Sequence, residues 1–238
     1  FKGYSAKNIF KFQYEKKTFS DNNETKKILI IGNSHSLATW NSFYLNKENF
    51  ENLEFARVLE EIYKFATDNQ TENKLINSPN FKKSDILLIS TSYRLEKDKN
   101  INYLEGLKKL NNISKTNNKK LVITIPFHFE HEKGEIPADY LLKENINTAF
   151  NLDKIDNFNN FCYFKKISPK KNNLVEFGEE FNVKVLDKAD FVCDEQKQQC
   201  YCFDDKGLKT FHDGHHQTLS GAKFFGKKIK EINWLEIN

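Results

Sequence analysis

Three short apolar runs limit what this chain can fold into: Lys27–Ile31, Asp85–Ser90 and Leu121–Ile125. Each is too short for a buried helix, rich in branched side chains, and bounded by Gly32 or Pro126 or by polar residues, the pattern of strands buried on both faces. Leu53–Val58 and Lys184–Leu186 read as further strands. Between them lie segments of helical character: Ser36–Leu45, Leu59–Thr67, Ile101–Lys115, Asn172–Phe181 and Leu219–Ile232. Leu104, Leu107, Leu110 and Ile113 recur at amphipathic spacing, and Ala222, Phe225, Ile229 and Ile232 are expected to face the core. Strands alternating with helices predict an α/β fold with a parallel sheet covered on both faces. Sites in such sheets sit at the carboxyl ends of the strands, where Ser34, the 90–94 segment and the loop after Ile125 fall. Asp68–Lys74 and Thr116–Lys120 read as surface loops, and residues 127–172 are the least regular stretch. Residues 1–26 are polar and aromatic without clear period. They read as an N-terminal extension or the end of a linker from an upstream region, with residues 27–238 as the domain proper.

The chain has 238 residues, 37 Lys and Arg against 33 Asp and Glu, and a formal net charge of +4. The charges are scattered and form no basic stripe, so no nucleic-acid partner is expected. No stretch approaches the roughly 18 apolar residues that span a bilayer. Met is absent, which implies a processed protein or a domain cut from a longer one. Cys193, Cys200 and Cys202 lie within ten residues, with Cys162 upstream. The spacing lacks the paired C-x2-C of common zinc sites. A disulfide loop between Cys193 and Cys200, with Cys162 and Cys202 left to pair, is the more natural reading and points to an oxidising compartment. Four free thiols is the alternative, and metal ligation ranks third.

Chemistry-bearing residues concentrate at the two ends. Ile30-Ile31-Gly32-Asn33-Ser34 puts a serine on a turn just past a strand, and Gly32 permits the sharp bend. There the Ser34 backbone N–H and the helix dipole can hold a developing oxyanion. The structural alternative is that Ser34 or Ser36 simply caps the next helix. A phosphate loop does not fit, because only one glycine is present and Gly-Lys-Ser/Thr is missing. Far downstream, Asp213-x-x-His216 places a carboxylate within reach of an imidazole at the expected start of a helix. Asp213 can fix the His216 tautomer and stabilise its charged form, or act as a plain N-cap. His212 and His215 are neighbours of no assigned role. No acidic or cysteine partner has ligand spacing to this His cluster, so no metal is expected.

Gly32-Asn33-Ser34-His35-Ser36 together with Asp213-x-x-His216-x-Thr218-x-x-Gly221-Ala222 resembles the SGNH (GDSL-like) hydrolase superfamily. More closely, it is similar to the SGNH domain fused to acyltransferase-3 membrane proteins. Asp85–Ser90 and the stretch from Asp190-Phe191-Val192-Cys193 to Cys200 share the likeness. The resemblance implies a three-layer α/β/α sandwich of flavodoxin-like kind. It makes Ser34 the nucleophile, His216 the general base and Asp213 its orienter. It implies no cofactor in this domain. An acetyl donor would be delivered by an upstream membrane domain, the acceptor would be a cell-envelope glycan, and the location would be periplasmic or otherwise extracytoplasmic. The sequence departs from the superfamily where a Gly and an Asn complete the oxyanion hole. No glycine lies between Gly32 and Gly106, and the segment after Ile89 reads Ser90-Thr91-Ser92-Tyr93-Arg94. Ser92 or Arg94 is the stand-in suggested by position. Two readings compete with the transferase: a stand-alone carbohydrate acetyl esterase, and a non-catalytic carbohydrate-binding or docking domain.

Overall fold

A computed structural model describes residues 18–93, 103–130, 136–144 and 155–236. In chain order the elements are β1 (Lys26–Gly32), α1 (Ser34–Tyr44), β2 (Leu53–Leu59), α2 (Lys64–Thr67), α3 (Asn69–Asn77), α4 (Pro79–Lys83) and β3 (Ile86–Ile89). Then come α5 (Tyr103–Thr116), β4 (Lys120–Ile125), β5 (His128–Phe129), α6 (Pro137–Glu144), α7 (Ile155–Tyr163), β6 (Lys166–Ile167), α8 (Lys171–Phe181) and β7 (Lys184–Asp187). The chain closes through α9 (Ala189–Val192), β8 (Cys193–Asp194), β9 (Gln199–Cys200) and α10 (Leu219–Glu231).

Five strands pair in the order β2-β1-β3-β4-β7, all parallel. Strand side chains alternate across the sheet, and β1 shows it plainly. Ile28 and Ile30 join one core with Leu37, Trp40 and Phe43 of α1 and Phe225 and Ile229 of α10. Leu29 and Ile31 join the other, with Phe65, Leu75, Phe81, Leu107, Leu110 and Phe177 from α2, α3, α4, α5 and α8. Both faces are thus covered by helices, the expected three layers. Phe19 is buried in the second core, and Ser20 and Thr25 hydrogen-bond to Glu54 of β2, so residues 19–25 lie against the sheet edge.

Three details differ from the sequence reading. Leu59 belongs to β2, because the β1 ladder continues to the pair Gly32↔Leu59; only Lys64–Thr67 of the expected 59–67 helix is helical. The expected loop 68–74 is mostly α3, capped by Asp68, whose side chain accepts from the Gln70 N–H, and anchored by buried Thr71 and Leu75. Ile232 is 46% exposed rather than core, since α10 ends one residue earlier. Within 127–172 the chain builds short pieces, including a β5–β6 pair in which His128 stands opposite Ile167.

Two disulfides are present. Cys193–Cys200 closes the β8–β9 hairpin, and Cys162–Cys202 ties α7 to the segment that leads toward Asp213. Asn159 reinforces the second attachment by accepting from the N–H groups of Cys202 and Phe203. The bridges span sequence separations of 40 and 7 residues. Loop-closure entropy makes the longer worth about 4 kcal/mol and the shorter about 2.5 kcal/mol. Non-reducing peptide mapping should therefore recover both pairs. Denaturant unfolding should show a larger loss of stability for Cys162→Ala/Cys202→Ala than for Cys193→Ala/Cys200→Ala. Equal losses, or a different pairing, would refute this assignment.

Candidate active site

The order of strands reverses between β1 and β3, which creates a crevice at their carboxyl ends. Three segments converge there: the turn after β1, the segment after β3 and the 212–216 loop before α10.

The first turn is set by Gly32, with φ of +152° and a position so tight that a Cβ would come within 2.0 Å of the Ser90 carbonyl oxygen. Asn33, neither Ser34 nor Ser36, caps α1: its Oδ1 accepts from the His35 N–H. Ser34 is therefore the first helical residue, and its side chain is released from capping. Ser36 turns inward, donating to the Asn33 carbonyl at 2.7 Å and accepting from Arg57 Nε at 2.7 Å. Arg57 also donates to the Asn33 carbonyl. Burial lowers its guanidinium to about 10, so it remains charged at neutral pH.

The second partner arrives through α10. Thr218 caps this helix by accepting from the Gly221 N–H, and a Cβ on Gly221 would meet the Thr210 carbonyl oxygen at 2.0 Å. Gly226 lies equally close to the Ser42 carbonyl of α1 and the Asn46 side-chain amide just beyond that helix. Asp213 and His216 thus lie in the loop before α10, not at the helix start, and Asp213 is not its cap. Asp213 Oδ1 instead accepts from the N–H groups of His215 and His216 at 2.9 and 2.7 Å. Phe129 of β5 donates to the Gly214 carbonyl and His212 to the His216 carbonyl, fixing the loop from both sides.

These supports place His216 Nδ1 2.7 Å from Asp213 Oδ2 and His216 Nε2 2.7 Å from Ser34 Oγ. Burial raises the Asp213 carboxyl, but hydrogen bonds from the His216 ring and the two N–H groups outweigh it and hold it well below the usual carboxylate range. An ionised Asp213 can only accept, so His216 carries its proton on Nδ1 and offers Nε2 to the Ser34 hydroxyl. The arrangement can accept a proton from Ser34, whose own N–H belongs to the first turn of α1, the dipole-positive end of that helix.

A family model described as the SGNH domain (fused to AT3 domains) matches residues 5–231. The chain belongs to this family. Among solved structures, this SGNH domain is similar to the periplasmic domain of a lipopolysaccharide acetyltransferase from Salmonella ser. Paratyphi A. The TM-score is 0.57 at 17% identity, covering 89% of this chain and 85% of that one. It also matches a GDSL-like lipase from Bacteroides thetaiotaomicron, with TM-score 0.47, 11% identity, and 94% and 96% of the two chains covered. No curated protein matches it in sequence.

The SGNH domain treats the suggested oxyanion residues unequally. Ser92 accepts a 2.8 Å hydrogen bond from Asn33 Nδ2, which places it beside the turn that carries Ser34. Arg94 lies outside the described residues. Tyr93, with φ of +49°, buries its ring in the second core.

Sequence reasoning missed a polar layer beneath the turn. Lys188, just past β7, is buried and donates to Ser90 Oγ at 2.9 Å. Ser90 Oγ also reaches the Thr39 hydroxyl at 2.8 Å and the His35 carbonyl at 3.2 Å. No spacing in the sequence marks Arg57 in β2 or Lys188 just after β7. Only contacts across the fold give them a role. Burial, reinforced by Lys188 and the neighbouring histidines, keeps the His35 ring pKa well below 6.5. Two groups of side chains bring three metal-competent atoms together: His35, His215 and His216, and His212, Asp213 and His216.

Burial lowers the Lys188 ammonium to about 7. An unfolded chain keeps this lysine charged to about pH 10.4. Between those values the unfolded state binds the extra proton, so stability rises with pH, by at most about 1.4 kcal/mol per unit. Below about pH 7 the buried charge weakens the fold. Lys188→Met should remove that rise across pH 7–10 in denaturant unfolding, most visibly as added stability near neutral pH. A pH dependence identical to wild type would show that Lys188 is solvated.

Proposed function

We propose that this SGNH domain is an O-acyltransferase that moves acetyl groups onto hydroxyls of a cell-envelope carbohydrate, with Ser34, His216 and Asp213 as its triad. The observation that carries the reading is the unbroken chain of two 2.7 Å contacts from Ser34 through His216 to Asp213. Membership of a family described as fused to AT3 domains supports an AT3 membrane domain in the same chain as the acetyl supplier. The two disulfides suit an oxidising, extracytoplasmic location, and among the described residues no helix is long and apolar enough to cross a membrane.

In this mechanism Ser34 Oγ attacks the carbonyl carbon of the acetyl donor while its proton passes to His216 Nε2. Asp213 stabilises the resulting imidazolium. The carbonyl oxygen becomes an oxyanion held by the Ser34 N–H and a donor from the 92–94 segment, where Ser92 and Arg94 are our candidates. Collapse breaks the bond to the donor's leaving group, which takes the proton from His216 and leaves acetyl-Ser34. A sugar hydroxyl then gives its proton to His216 and attacks the acetyl carbon, and collapse releases the sugar ester and restores Ser34. If water takes the place of the sugar, the outcome is hydrolysis, so the isolated domain is expected to be a slow esterase on activated acetyl esters.

A serine-directed phosphonate should label wild type and not Ser34→Ala. His216→Ala should lower acetyl-ester turnover by several orders of magnitude, while His215→Ala costs little, because only His216 bonds both Asp213 and Ser34. Within the full-length protein, Ser34→Ala should abolish glycan acetylation in cells. Full acetylation by that variant would make the domain a binding or docking module.

A further inference from the structure

The fold brings to the base a set of imidazoles that the sequence leaves apart. His35 follows the nucleophile, and its ring stacks on that of His215, with centroids 5.2 Å apart and planes 6° from parallel. The His215 ring lies 4.0 Å from that of His216, and His35 is 5.6 Å from His216. One ring nitrogen from each of these three lies within 4.8 Å of the others. His35 is only 2% exposed, and its Nε2 is buried without a hydrogen-bond partner. A buried polar atom left unsatisfied is costly and calls for a ligand or another explanation. His215 and His216 retain 23% and 24% of their side-chain exposure, so the cluster is open to solvent on one side.

We propose that His35, His215 and His216 form a binding site for a zinc-class transition-metal ion, and that the ion switches the triad off. Three imidazoles and no carboxylate suit zinc and its neighbours rather than magnesium or calcium. Nitrogens about 2.0–2.1 Å from a tetrahedral zinc stand about 3.4 Å apart. Small rotations of the three rings therefore bring them from their present spacing into ligation, with water in the open fourth position. Both nitrogens of His216 are already engaged, Nδ1 with Asp213 and Nε2 with Ser34. Whichever one the metal takes, one link of the triad breaks. All four cysteines are in disulfides, so no thiol competes for the ion. The inhibitory consequence rests on the triad reading, whereas the binding itself does not.

The test is calorimetric titration of untagged domain with zinc chloride, run beside hydrolysis of an activated acetyl ester. One zinc should bind per chain, with turnover falling in parallel and returning after EDTA. His215→Ala should weaken binding at least tenfold, and His35→Gln should do the same if it folds. Ser34→Ala should bind zinc as well as wild type does, which separates a failed metal site from a failed triad. Absence of binding would overturn the proposal. So would binding that survives His215→Ala but is lost in His212→Ala, which would move the ion to the neighbouring His212, Asp213 and His216. Zinc that binds at the proposed ligands but raises turnover, in wild type or in Ser34→Ala, would make it a catalytic metal and overturn the inhibitory role.

Discussion

The hydrogen bond between Ser34 and His216 spans 182 residues of sequence, and it depends on how closely backbones approach at three glycines. Gly32 lets the turn that carries Ser34 lie on the Ser90 carbonyl. Gly221 lets α10 lie on Thr210, and Gly226 lets it lie on Ser42 of α1 and on Asn46 just beyond it. At each contact a Cβ would sit about 2 Å from a backbone oxygen, far inside van der Waals contact. The first helix carries the serine, the last helix positions the loop that carries the histidine, and their separation is set by the absence of side chains. Ser42 adds a direct tie, donating to Gln217 next to His216.

Below this contact lies a polar layer that burial makes consequential. Arg57 braces the turn through Ser36 and the Asn33 carbonyl, while Lys188 reaches Ser90 and, through it, the His35 carbonyl and Thr39. Polar groups in a low-dielectric interior are costly alone and rigidifying when satisfied. Here they hold the first turn of α1 at the end of β3, so that Ser34 remains at a fixed distance from His216, which other elements anchor. The depressed Asp213 carboxyl belongs to the same design, because an acceptor that stays ionised fixes which nitrogen of His216 faces the serine.

Much of this was legible in the sequence, for physical reasons. Strands buried on both faces cannot avoid apolar runs, so β1, β3 and β4 announce themselves. The two end motifs were recognised through their resemblance to the SGNH family, and the structure shows what several of their residues do: Gly32 makes the turn, Thr218 caps α10, Gly221 allows a close approach and Ala222 is a small buried side chain. The misreadings came where local pattern is weak. β2 lies at the sheet edge with most of its residues only partly buried, and its end at Leu59 is decided by pairing with β1. The α3 helix is so polar that its burial of Thr71 and Leu75 leaves little period to see. Arg57, Lys188 and the partnership of His35 with His215 have no local signature, since each acquires meaning only from residues brought to it across the sheet.

The proposed covalent role of Ser34 is tested most directly by trapping the acyl group during turnover. Domain incubated with an activated acetyl ester, quenched in acid and digested, should yield a peptide carrying one acetyl group on Ser34, located by tandem mass spectrometry. Its amount should rise during the first turnovers and vanish in Ser34→Ala. Steady turnover with no acetyl on Ser34, or with the acetyl group on another residue that carries the reaction, would contradict the account.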